Sequence, residues 1–132
     1  MKVGKKFTIT GFGVYSTPIA NTSTVTIKIK YGATTVTSVT TGALPASATN
    51  LPFTFNADCT VRSIGATGTV ICNGMFDYAT ALTGIVKTTN ALISNTVTID
   101  TTAQSNIDVT GAWSAVTTQT ATVQQSSIDF KN

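Results

Sequence analysis

From Phe53 to Val61 every second residue is apolar. Phe53, Phe55, Ala57, Cys59 and Val61 alternate with Thr54, Asn56, Asp58, Thr60 and Arg62. After a Ser-Ile-Gly-Ala-Thr-Gly turn, Val70, Cys72, Gly74, Phe76 and Tyr78 resume the same period. Side chains on a strand point alternately to opposite faces, so Leu51 to Ala79 reads as a hairpin with one shared apolar face. Gly65 suits the positive φ at the first central position of a two-residue type II′ turn. With Gly65-Ala66 as the loop, Ile64 faces Thr67 and Cys59 faces Cys72. A four-residue loop sets Cys59 against Gly74 instead.

The rest of the chain must match that sheet. Its 132 residues suit one domain with a real core, and residues 1–132 are read as a single unit. Only 10% of them are charged, Glu and His are absent, and Thr is abundant. Thr, Val and Ile fit a pleated, half-buried surface better than a helix. All-β is the expected class.

Strands are expected over Lys6–Thr17, Ser23–Tyr31, Thr35–Thr41, the two arms of the hairpin, Thr96–Asp100, Asn106–Ser114 and Thr118–Phe130. Thr83–Thr89 offers one more short strand, and Asn90–Asn95 reads either way. Phe7, Ile9, Gly11, Gly13 and Tyr15 share one face of the first strand. Phe12 and Val14 lie on the other, which suggests that both faces of its second half are covered. In the last strand Val123 is out of phase with Ile128 and Phe130, which places a β-bulge within Gln124–Ser127. Seven or eight short strands with turns between them predict an antiparallel β-sandwich, jelly-roll-like, with one core layer between two sheets.

Charge excludes little and suggests little. The net charge of +3 comes from Lys2, Lys5, Lys6, Lys28, Lys30, Arg62, Lys87 and Lys131 against five aspartates. No clustered basic stripe points to nucleic acid. No apolar run reaches membrane-spanning length, and the start lacks the apolar core of a secretory signal. The chain begins almost directly on a strand, as the C-terminal part of a longer polypeptide would. Two cysteines are no disulfide framework. Buried reduced thiols are the simplest expectation for Cys59 and Cys72, with a bridge available only in the two-residue turn register.

Catalytic chemistry is hard to assemble from these residues. Ser and Cys have no histidine to act as base. Asp58 and Asp77 fall on outward faces of the hairpin and read as solvated carboxylates rather than a glycosidase pair. Two cysteines without histidine make no zinc site. Asp100, Asn106 and Asp108 flank one turn and are the loose candidate for calcium, without an EF-hand pattern around them. No enzyme, metal or cofactor is expected. Thr-x-Thr pairs recur at irregular intervals, which excludes a solenoid. Among the aromatics, Phe53, Phe55 and Phe76 read as core, while Trp113 and Tyr78 lie near strand ends where a sugar face would stack. Trp113 is nonetheless expected in the core.

The stretch from LPFTFNADCTVRSIGATGTVICNGMFDY to NTVTIDTTAQSNIDVTGAWS resembles a β-sandwich domain of tailed-bacteriophage virion proteins, found in fibres and appendages. The shared pattern is an aromatic-x-aromatic strand, TVRSIGATGTV, a Gly-x-Phe strand, a Val-Thr-Ile-Asp-Thr-Thr turn, and an apolar strand ending in Trp-Ser. KVGKKFTITGFGVYST resembles the family's opening strand. The resemblance implies a non-enzymatic virion component that assembles with copies of itself, commonly as a homotrimer, beside other virion proteins. Contact with a host surface glycan would follow from such a location. A monomeric carbohydrate-binding or adhesin module, and a capsid or tail subunit without a receptor role, are the competing expectations. No ligand-binding residue is implied.

Overall fold

The computed structural model describes residues 1–20, 23–81, 87–115 and 118–131. They form nine strands and no helix: β1 (Lys6–Ser16), β2 (Val25–Tyr31), β3 (Thr34–Thr40), β4 (Leu51–Ser63), β5 (Gly68–Ala79), β6 (Lys87–Ile93), β7 (Val97–Ile99), β8 (Ile107–Trp113) and β9 (Thr120–Lys131). Sheet A runs β6-β5-β4-β1-β9, with short β7 also paired to β5; sheet B runs β3-β2-β8. Every pairing is antiparallel. β1 pairs with β9 and β2 with β8, a nested, roll-like closure. The expected sandwich is therefore present, with nine strands rather than seven or eight. The ambiguous Asn90–Asn95 stretch contributes to β6, and the expected strand at Thr83–Thr89 falls partly outside the described residues.

Complementary sizes lock β1 to β4. Along β1 the inward positions meet β4 as Phe7 with Cys59, Ile9 with Ala57, Gly11 with Phe55, Gly13 with Phe53 and Tyr15 with Leu51. A Cβ on Gly11 would enter the Phe55 ring, and one on Gly13 would meet the Phe53 ring and the Thr122 carbonyl. Both glycines thus let the two rings spread beneath β1 towards β9. Phe53 in turn lies 5.7 Å from Phe76, centroid to centroid.

The hairpin register also decides the cysteines. Cys59 lies opposite Cys72, as the short-turn register requires, and the two are bridged with a Cα separation of 4.1 Å. The expectation of reduced thiols is overturned. Cys72 directs its N–H and C=O to Ser94 on the far side, so it faces Cys59 across the closer, non-hydrogen-bonded type of site. The turn differs from the two-residue form. Ser63 pairs with Thr69, the register shifts between Val61 and Ser63, and Ile64 is exposed rather than opposite Thr67. That shift compensates the wider turn and keeps the cysteines aligned. Gly65, at φ +123°, ties the tip to the Asp100 turn through Thr101, whose hydroxyl accepts its N–H at 2.8 Å.

The core is unevenly covered. β3 lies against β5 and β6. Strands in both layers are spaced alike, so counting across from β3 puts β2 over β5 and β4, and β8 over β4 and β1. Nothing of sheet B is left to cover β9. Burial agrees: Phe7 and Ile9 on β1 are buried, whereas all twelve residues of β9 are exposed. Val123, Ile128 and Phe130, expected in the core layer, stand 51%, 43% and 60% exposed. The predicted bulge is present, since Gly13 pairs with Val123 and Phe12 with Gln125, leaving Gln124 as the extra residue.

Candidate functional site

Two surfaces stand out. The first is the open flank. β8 pairs only with β2 and β9 only with β1 among the described residues, so each presents an unused row of backbone donors and acceptors on the same side of the sandwich. Between them lies a cleft of about 180 Å³ lined by Val109, Gly111 and Trp113 of β8, Ala121 and Val123 of β9, and the Phe53 and Phe55 rings behind. The rings reach it because β1 carries glycine at positions 11 and 13. Trp113, expected in the core, is half-buried at this edge.

The second surface is a shallow trough of about 330 Å³ across the outward face of sheet A. The pairing registers align two rows, Gln125-Phe12-Thr54-Asp77 and Ser127-Thr10-Asn56-Met75, each crossing β9, β1, β4 and β5. Phe12 and Met75 are about half exposed among hydroxyl and amide groups. The expectation that Phe12 is covered is therefore overturned: among the described residues no layer lies on that face of sheet A. Asn56 accepts the Met75 N–H through Oδ1 at 2.9 Å, which leaves its amide nitrogen directed elsewhere. Thr10 and Ser127 share a hydrogen bond of 2.8 Å.

The carboxylates considered from sequence do not converge. Asp58 stands opposite Asn73, whereas Asp77 stands opposite Thr54, four residues further along β4. That offset alone is roughly 13 Å, beyond the spacing of a glycosidase pair. Asp58 accepts the Thr8 hydroxyl at 2.6 Å. Asp77 accepts Lys87 at 2.6 Å. Partial burial works to raise the Asp77 carboxyl, but hydrogen bonds from Lys87 and Thr89, with the Lys87 charge, outweigh it and hold the group below 3.8. Asp100 spends one oxygen on the Thr102 hydroxyl, the Thr102 N–H and the Ala103 N–H, and those bonds lower its pKa too. It closes its own turn. No cluster of three metal-ligating side chains occurs among the described residues.

Tyr78 is buried rather than at a sugar-facing edge. Tyr15 is buried and donates its hydroxyl to the Ala79 carbonyl at 2.5 Å; burial first, then the nearby Tyr78, pushes its pKa up to about 12. Lys2, Lys5, Lys6, Arg62 and Lys131 gather at one end of sheet A, where Lys6 pairs with Lys131 and Lys5 with Val61, while Lys28 and Lys30 belong to sheet B. Comparison with protein-family models, curated proteins and solved structures finds no match. Sequence reading missed the flank and the trough alike. The signal that could have found the trough was Phe12, an aromatic out of phase with the inward positions of its strand.

Proposed function

We propose that this chain is a non-enzymatic structural component of a bacteriophage virion, a fibre, appendage or decoration, that works by assembling with copies of itself. The observation that carries the reading is β9, a twelve-residue edge strand exposed throughout, with Val123, Ile128 and Phe130 on one face. An open edge bearing an apolar face is an aggregation hazard unless a partner covers it. The hydroxyl-rich, weakly charged remainder suits a scaffold better than a catalyst. The resemblance of the hairpin and the Asn95–Ser114 stretch to phage virion domains supports the setting, with other virion proteins as neighbours. That likeness implies a trimer; the geometry of the flank favours a different stoichiometry.

The test is recovery of peptides from this chain in gradient-purified phage particles produced by the source culture. Recovery with the particles supports the reading. Confinement to the soluble fraction of a culture that makes both overturns it.

The outward trough favours a second reading, a carbohydrate-binding module. Phe12 and Met75 supply an apolar platform, and Asn56, Asp77, Gln125 and Ser127 supply polar anchors, the mix that sugar faces require. Binding on a glycan array that disappears with Phe12→Ala would favour it.

A further inference from the structure

We infer that the open flank is a two-fold interface in which β9 of a second copy fills the strand position beside β8. This rests on reading the flank as an assembly surface and specifies the partner and its mode.

The position has definite requirements. It is one strand wide, bounded by the free edge of β8, faced by the apolar side of β9, and backed by Phe53 and Phe55. Its occupant must be a strand with one apolar face and one free edge, long enough to run along β9. β9 itself meets every condition. Ala121, Val123, Ile128 and Phe130 share its inward face, and its pairing with β1 leaves one edge free.

Symmetry makes the fit reciprocal. Consider a two-fold axis parallel to the strands, midway between the layers at the height of β9. Rotation carries sheet A of one copy into the layer of sheet B of the other. Each β9 then lies beside the other copy's β8, and the two β9 strands face one another across the axis. Strand direction agrees as well. Trp113, the last residue of β8, and Ala121, near the start of β9, line the same pocket, so the two strands run in opposite senses. Rotation about an axis along the strands keeps their sense, and the incoming β9 is antiparallel to β8. It also keeps height, so Ala121 of the second copy falls beside Trp113, and Val123 beside Gly111. Each pair sets a small residue against a larger one. The facing inward positions, Ile107, Val109, Gly111 and Trp113 with Ala121, Val123, Ser126, Ile128 and Phe130, include no charged residue. Both open edges are closed and no new edge is created, as an isologous interface requires.

Light scattering of the full chain during size exclusion is the first test, with twice the 13.6 kDa chain mass expected. A monomer at about 100 μM, well above typical specific affinities, overturns both this inference and self-association. A trimer overturns the two-fold arrangement alone. Val123→Lys with Ile128→Lys is expected to give a monomer with an unchanged circular dichroism spectrum, because both side chains are exposed in the single chain; a persistent dimer overturns the inference. Facing sheets lie about 10 Å apart, so a short bifunctional maleimide is the probe of the axis. Ser126→Cys, on the inward face, is expected to cross-link to its counterpart, while Ser127→Cys, on the outward face, stays unlinked. Equal linking of the two overturns the arrangement.

Discussion

At the residue scale, Gly13 is closely packed from two sides. A Cβ there would meet the Thr122 carbonyl of β9 and the Phe53 ring of β4 at once. Backbone on one side and a packed ring on the other leave neither neighbour room to give way. Gly13→Ala is expected to cost about 1–3 kcal/mol as overpacking, read as a lower urea midpoint, and to loosen β9 first in hydrogen exchange. Tyr15 sets a different test. Its hydroxyl titrates near 10 when the chain is unfolded and about 12 when folded. The folded state therefore holds the proton that the unfolded state releases between those values. The Tyr15 contribution to stability is complete below pH 10 and is lost as pH rises towards 12. Melting temperature against pH should fall less steeply through that window in Tyr15→Phe than in the parent chain.

At the scale of elements, the β4–β5 hairpin carries the core. Phe55 is buried between Gly11 and Phe76, and its ring lies over the Gly11 backbone. Phe55→Ala is expected to cost about 3–5 kcal/mol, because the cavity cannot collapse against a glycine. An unchanged denaturation midpoint would contradict the packing described for β1 and β4. The bridge between Cys59 and Cys72 closes a short loop, with a sequence separation of 13. Loop-closure entropy gives such a bridge about 3 kcal/mol. Urea unfolding with a strong reductant present should show a midpoint lowered accordingly, and an unmoved midpoint would mean that the bridge does not constrain the unfolded chain.

At the scale of the molecule, two sheets of unequal width leave one strand uncovered, and this inequality carries the functional reading. Sheet A spans five strands where sheet B spans three. A monomer would have to keep β9 wet on both faces. An assembly that covers β9 couples folding to association, so the apparent melting temperature should rise by several degrees between about 1 and 100 μM chain. A melting temperature independent of concentration over that range would show that the folded chain gains nothing from its neighbours.

The sequence by itself determined most of the strands, the alternation of their faces and the bulge in the last strand, and left two registers open for the cysteines. Each follows from local alternation, because the period of two is a property of the backbone and needs no partner. Only the tertiary structure decided which apolar faces are covered. Ile9 on β1 and Ile128 on β9 look alike in sequence and stand opposite one another in the sheet. Yet Ile9 is buried under sheet B and Ile128 is not, since burial depends on how many strands the other layer can place above it. The bridge, too, needed the fold: the turn is wider than the sequence suggested, and the compensating register shift arises from pairing along the whole hairpin. Alternation specifies a face, but the width of the opposing sheet decides what meets it.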